Sequence, residues 1–169
     1  MNRVTRIAAV VAAGLTLAAA PALSATKVFN AHLSGNEQVP VRETKGVGQV
    51  MLKLSDDQTT LQFRVNVSNI ENVVAAKVAL APAGQTGPDV ALLYGPVAPG
   101  GGKASGMLAT GTLTADKLVG PLAGKTIADL VTEINAGRIY INIVTDDGQG
   151  AADEKSGDFA SGEIRGQVR

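Results

Sequence analysis

Cysteine and tryptophan are absent from this 169-residue chain, and histidine occurs once, as His32. Without cysteine there are no disulfides, thiolate metal sites, sulfur nucleophiles or dithiol redox chemistry. The fold must rest on apolar packing and backbone hydrogen-bond ladders. One imidazole falls short of the several soft or imidazole donors a zinc-type centre uses. No Gly-x-Ser-x-Gly elbow accompanies it to suggest a serine hydrolase. Only five aromatic residues are present: Phe29, Phe63, Tyr94, Tyr140 and Phe159. Surfaces that stack sugars or cage cations lean on Trp and Tyr, so those functions are disfavoured. Charge of one sign is also missing: fifteen Lys and Arg face fifteen Asp and Glu. That balance is unlike the basic footprint of a nucleic-acid binder. Gly-Gly-Gly-Lys at residues 100–103 lacks the spacing of a phosphate loop.

Long apolar runs are missing except at the start. Arg3 and Arg6 precede an apolar stretch over residues 7–20, and small residues follow at Ala20, Ala22, Ser24 and Ala25. This is the layout of a secretory signal peptide, and the stretch is short for a bilayer span of roughly 20 residues. Cleavage after Ala22, Ser24 or Ala25 fits the pattern, with Ala25 preferred. The expected organisation is a signal peptide at 1–25 and one domain at 26–169, in the periplasm or secreted, with no membrane span after cleavage. Loss of Arg3 and Arg6 leaves thirteen basic against fifteen acidic residues.

What the remaining chain does contain is period-two alternation. Leu61, Phe63, Val65 and Val67 alternate with Gln62, Arg64, Asn66 and Ser68, which predicts a strand with one face on the core and one in water. Val50, Leu52 and Leu54 alternate likewise, and the polar link at 55–58 predicts a hairpin between the two. Further strands are expected at 27–33, 73–80, 90–94, 107–113, 139–144 and 161–168, with Gly/Pro loops at 81–89 and 95–102. The period changes once. Ile127, Leu130, Val131 and Ile134 fall at helical spacing, with Thr126 as N-cap, Asp129 in the first turn and Gly137 as terminator. Short strands with Gly/Pro turns and one short amphipathic helix predict an all-β fold, an antiparallel β-sandwich of immunoglobulin-like appearance.

Several pieces together resemble the CHRD domain family, named for the repeats of chordin. They are Leu-Ser-Gly-Asn-Glu-Gln-Val-Pro at 33–40, Ala-Pro-Ala-Gly-Gln-Thr-Gly-Pro at 81–88, the helix ending at Gly137, Arg-Ile-Tyr-Ile-Asn-Ile-Val-Thr at 138–145 and Ser-Gly-Glu-Ile-Arg-Gly-Gln-Val at 161–168. The resemblance implies a β-sandwich in an exported protein, with binding rather than an established reaction. Members of the family usually carry a His-x-His pair before the Ala-Pro-Ala-Gly loop and a further His in the Tyr-x-Asn strand. Here those positions hold Lys77, Ala79 and Val144, so no metal site is carried over.

The candidate site lies in the last third of the chain. If 138–145 pairs with 161–168, Tyr140 and Asn142 neighbour Glu163 and Arg165, and the latter two share a face. Such a group is either a polar network that fixes the sheet or a ligand-binding face. No activated base or nucleophile marks a catalytic residue, and no cofactor is expected. Asp146, Asp147, Asp153, Glu154 and Asp158 crowd one loop and are weak calcium candidates, with the right ligand type but not the EF-hand spacing. The leading expectation is a non-enzymatic CHRD-type interaction domain with an unknown protein or envelope partner and no nucleic acid. The alternatives are a metal-dependent or hydrolytic enzyme using the polar face of the last two strands, and a purely structural envelope protein.

Overall fold

The alternating runs become strands. The computed structural model describes residues 27–151 and 155–169; the expected signal peptide, 1–25, lies outside the described residues. The elements are β1 (Val28–Ser34), β2 (Val47–Leu54), β3 (Leu61–Glu71), β4 (Val73–Leu80), β5 (Asp89–Tyr94), β6 (Lys103–Leu113), helix α1 (Ile127–Asn135), β7 (Ile139–Thr145) and β8 (Ile164–Gln167). The expected hairpin forms between β2 and β3, with Val50 opposite Val65 and Leu54 opposite Leu61. Its turn is tied by Asp57, whose carboxylate accepts from Ser55 Oγ at 2.6 Å and Thr59 N at 3.1 Å.

Helix α1 begins where its cap predicts. Thr126 Oγ1 accepts from Asp129 N at 3.2 Å, and the Asp129 carboxylate accepts from Thr126 N at 2.8 Å, a reciprocal capping box. It ends ahead of Gly137, whose φ of +69° suits a residue without Cβ. Ile127, Leu130, Val131 and Ile134 are buried and join the same core as Leu33, Val50, Leu61, Ile141 and Ile164. Each such side chain contributes about 1.5–3 kcal/mol when fully buried. A cap contributes about 1 kcal/mol, so packing rather than capping holds the helix in place.

The strands form one antiparallel sheet in the order β5-β4-β7-β8-β1-β2-β3-β6. Its edges, β5 and β6, approach each other, so the sheet is nearly closed into a barrel. This departs from the two-sheet sandwich expected from the sequence. The difference lies in β8. Strands β5, β4 and β7 make one half of the sheet, and β1, β2, β3 and β6 make the other. Strand β8 pairs with β7 on one side and with β1 on the other. The junction is completed by Asn30 N to Arg169 O at 2.7 Å and Arg169 N to Asn30 O at 2.9 Å. Gly166 makes this approach possible: a Cβ there would lie 1.9 Å from the His32 carbonyl oxygen. Alternation specifies which side chains face the core. It does not specify whether two half-sheets are stitched into one.

Strand β8 is also shorter than the 161–168 expected. Gly162 has a φ of +129°, a conformation that L side chains rarely adopt, and the ladder starts only at Ile164.

Candidate functional site

Strand β7 is buried on both faces. Ile139, Ile141 and Ile143 point into the core, while Tyr140 and Val144 on the opposite face are buried as well. Loops cover this outer face, each tied to a side chain of β7 or β8. Tyr140 Oη accepts from Gly87 N at 3.2 Å and donates to Gly87 O at 3.3 Å. Gln38 Nε2 donates to Asn142 Oδ1 at 2.7 Å, and Asn142 Nδ2 donates to Ser161 O at 2.9 Å. Gln167 Nε2 donates to Ala81 O at 3.1 Å and Gly137 O at 2.7 Å. Gly162 is what lets the amides of Gln38 and Asn142 meet: a Cβ on it would lie 2.1 Å from Asn142 Oδ1.

The four candidate residues fall into two groups. Register places Asn142 opposite Arg165 and Tyr140 opposite Gln167, and the Arg165 guanidinium stacks on the Tyr140 ring at 3.5 Å from its centroid. Tyr140, Asn142 and Arg165 line one depression of about 250 Å³ together with Gln38, Lys77 and Asp89. Glu163 is elsewhere. It precedes β8 and is fully buried, and its carboxylate accepts from Thr44 Oγ1, from Ser156 Oγ at 2.8 Å, from Thr145 Oγ1 at 2.8 Å and from Gly157 N at 2.8 Å. Glu163 lies just ahead of β8 and does not line the depression that Arg165 shares with Tyr140 and Asn142.

Arg165 is 2 % exposed, and its Nη1 is the one buried side-chain nitrogen or oxygen among the described residues without a hydrogen-bond partner. Its Nη2 reaches only Pro82 O, at 3.5 Å. Burial pushes its guanidinium below the usual arginine value, opposed by electrostatic interactions with Tyr140 and Glu37. Nearby, Lys77 Nζ pairs with the Asp89 carboxylate at 2.9 Å, both side chains partly exposed. The sequence reading missed Gln38, Lys77 and Asp89 as members of this group, and Thr44, Thr145 and Ser156 as partners of Glu163. The 33–40 motif contains Gln38, but no periodicity marks it, and the others meet only through strand register and loop return.

The positions where the family carries histidines also come together. Lys77 pairs with Asn142, Ala79 with Tyr140 and Ala75 with Val144 across β4 and β7. A lysine tied to a carboxylate, an alanine and a valine supply no imidazole, so this donor set does not fit a transition metal.

A larger cavity, about 670 Å³, is lined by Glu43, Lys45, Glu71 and Lys103. Its charges are mixed and, among the described residues, no buried side-chain donor or acceptor is left over in it, so it has less claim to a ligand than the smaller depression. Among the acidic candidates, carboxylate oxygens of Asp146, Asp147 and Asp158 lie within 4.8 Å of one another. Two of these carboxylates already serve the loop: Asp146 accepts from Gly148 N at 2.7 Å and Asp147 from Gln149 N at 2.8 Å. The Lys155 ammonium, 2.9 Å from Asp147, holds that carboxyl below the usual aspartate range with help from Gln149 N. Asp153 and Glu154 lie outside the described residues. His32 is exposed on β1 opposite Gln49, apart from these groups.

The CHRD domain family model matches residues 29–152, most of the chain. The chain belongs to the CHRD domain family. The match ends before 161–168, so Glu163 and β8, which carries Arg165, lie beyond it. No curated protein matches the chain, and no solved structure does. Among the described residues no helix is long and apolar enough to cross a membrane.

Proposed function

We propose that this is an exported, non-enzymatic CHRD-type binding module that engages an envelope or extracellular partner through the depression walled by Tyr140, Asn142 and Arg165. Export is inferred from the signal layout at 1–25. The binding reading is supported by the family, whose domains are in general interaction modules. The observation that carries the site is a preformed polar depression in which one buried charged donor has spare capacity. Its one carboxylate, Asp89, is engaged by Lys77, so no free base faces a nucleophile there.

Two measurements test this. The chain expressed with its own N-terminus should be recovered outside the cytoplasm at the mass of 26–169; full-length chain confined to the cytoplasm overturns export. Immobilised wild type should retain a species from envelope and medium extracts that Tyr140→Ala and Lys77→Ala retain less, with circular dichroism matched. Equal retention on all three chains overturns the site.

A further inference from the structure

Resting on that binding reading, we propose that the ligand group seated in this depression is a carboxylate of a small molecule or chain end, held by Arg165 Nη1 and Lys77 Nζ. Arginine stays protonated in proteins, so the guanidinium carries its charge into a nearly sealed position. Nη1 has no partner and Nη2 only a carbonyl at the limit of bonding distance. Leaving a charged donor buried and unpaired is costly, and an oxyanion is the group that offsets the cost.

Geometry narrows the class. The flat face of the guanidinium is taken by the Tyr140 ring, so its edge is what remains to bind. That edge is a planar fork matched to a planar carboxylate. Charge narrows it further. Two cations, Arg165 and Lys77, face one carboxylate, Asp89, within the lining, leaving one positive charge to be balanced. Glu37 adds a favourable field to Arg165 but no ion pair among the described residues. A monoanion matches this balance, whereas a phosphate dianion meets Asp89 with excess charge. Phosphate sites also collect several backbone N–H groups. Here the Gly87 N–H is already turned to Tyr140 Oη. The volume, about 250 Å³, lies below that of drug-sized pockets. Val39 and Ala160 in the lining offer apolar contact to a short tail on the carboxylate.

The test is an NMR titration of the ¹⁵N-labelled chain with sodium acetate and sodium propionate, against sodium chloride, sulfate and phosphate at equal ionic strength. Acetate and propionate should give saturable shifts at the Gly87 and Ser161 amides and the Asn142 side-chain amide. Lys77→Gln, at a partly exposed position where little loss of stability is expected, should raise the acetate Kd about tenfold, and Arg165→Met should abolish saturation. Shifts with acetate no different from those with chloride overturn the proposal. So does saturation by sulfate or phosphate without acetate, or an unchanged Kd in Lys77→Gln. If acetate fails while extract retention still depends on Tyr140, the carboxylate assignment falls and the binding module stands. If both fail, both readings fall.

Discussion

Glu163 and Arg165 are two residues apart, both charged and both buried, yet their surroundings are opposites. The Glu163 carboxylate has four donors, one backbone N–H and three hydroxyls, drawn from β7 and the loops at 44 and 156–157. The Arg165 guanidinium has an aromatic face, one distant carbonyl and a nitrogen with nothing. A buried ion whose hydrogen-bonding capacity is used up acts as a clamp. A buried ion with capacity to spare destabilises the fold unless something else completes it. The difference separates the scaffold of this face from its site, although the sequence presents the two residues as one motif.

The comparison can be broken most severely by attacking what both residues depend on. Gly166→Ala should force β8 away from His32 O and open the junction between the half-sheets. A loss of at least about 3 kcal/mol is expected by chemical denaturation, with both the clamp and the depression lost. Next is Glu163→Gln. The new amide keeps its oxygen on Gly157 N and Thr145 Oγ1, and its N–H groups then oppose the Thr44 and Ser156 hydroxyls that now donate to the carboxylate. The expected loss is about 2–3 kcal/mol, with acetate binding kept wherever the protein is folded.

Thr126→Ala, remote from both residues, should cost about 1 kcal/mol by removing the cap and leave binding unchanged. It also carries a pH signature. Bonds from the backbone N–H and hydroxyl of Thr126 hold the Asp129 carboxyl below the usual aspartate range. A depressed carboxyl contributes stability that is complete above its unfolded pKa and is lost as the pH falls through the folded one. The variant should therefore show a shallower acid limb in thermal unfolding. Smallest in stability is Lys77→Gln, within about 0.5 kcal/mol, because its ion pair with Asp89 is partly exposed. Its effect should appear in binding alone.

Much of this was legible in the residues. Strand β4 has the predicted bounds and β2 forms around its predicted run, because alternation such as Val50-Leu52-Leu54 declares both the element and its buried face. The helix was legible for the same reason, through Ile127, Leu130, Val131 and Ile134. Tyr140, Asn142 and Arg165 were legible as neighbours because period two and an antiparallel pairing suffice to bring them together. What did not show were the contacts made by loops. Nothing local marks Thr44 as a partner of Glu163, 119 residues away, or Gln38 as a partner of Asn142, 104 residues away. The nearly closed sheet was hidden for a related reason: it depends on the backbone approach at Gly166, and a glycine in a strand pattern also reads as a bulge or a turn.

The most direct measurement is the thermal unfolding of Arg165→Met beside Glu163→Gln, in chloride and in acetate. Methionine keeps the length and the contact with the Tyr140 ring while removing an unbalanced buried charge. In chloride Arg165→Met should melt at or above the wild-type temperature, and acetate should raise the melting temperature of wild type but not of this variant. Glu163→Gln should melt lower in both salts by the same amount. If Arg165→Met instead falls in chloride as far as Glu163→Gln does, Arg165 is a clamp like its neighbour, and the distinction between scaffold and site is contradicted.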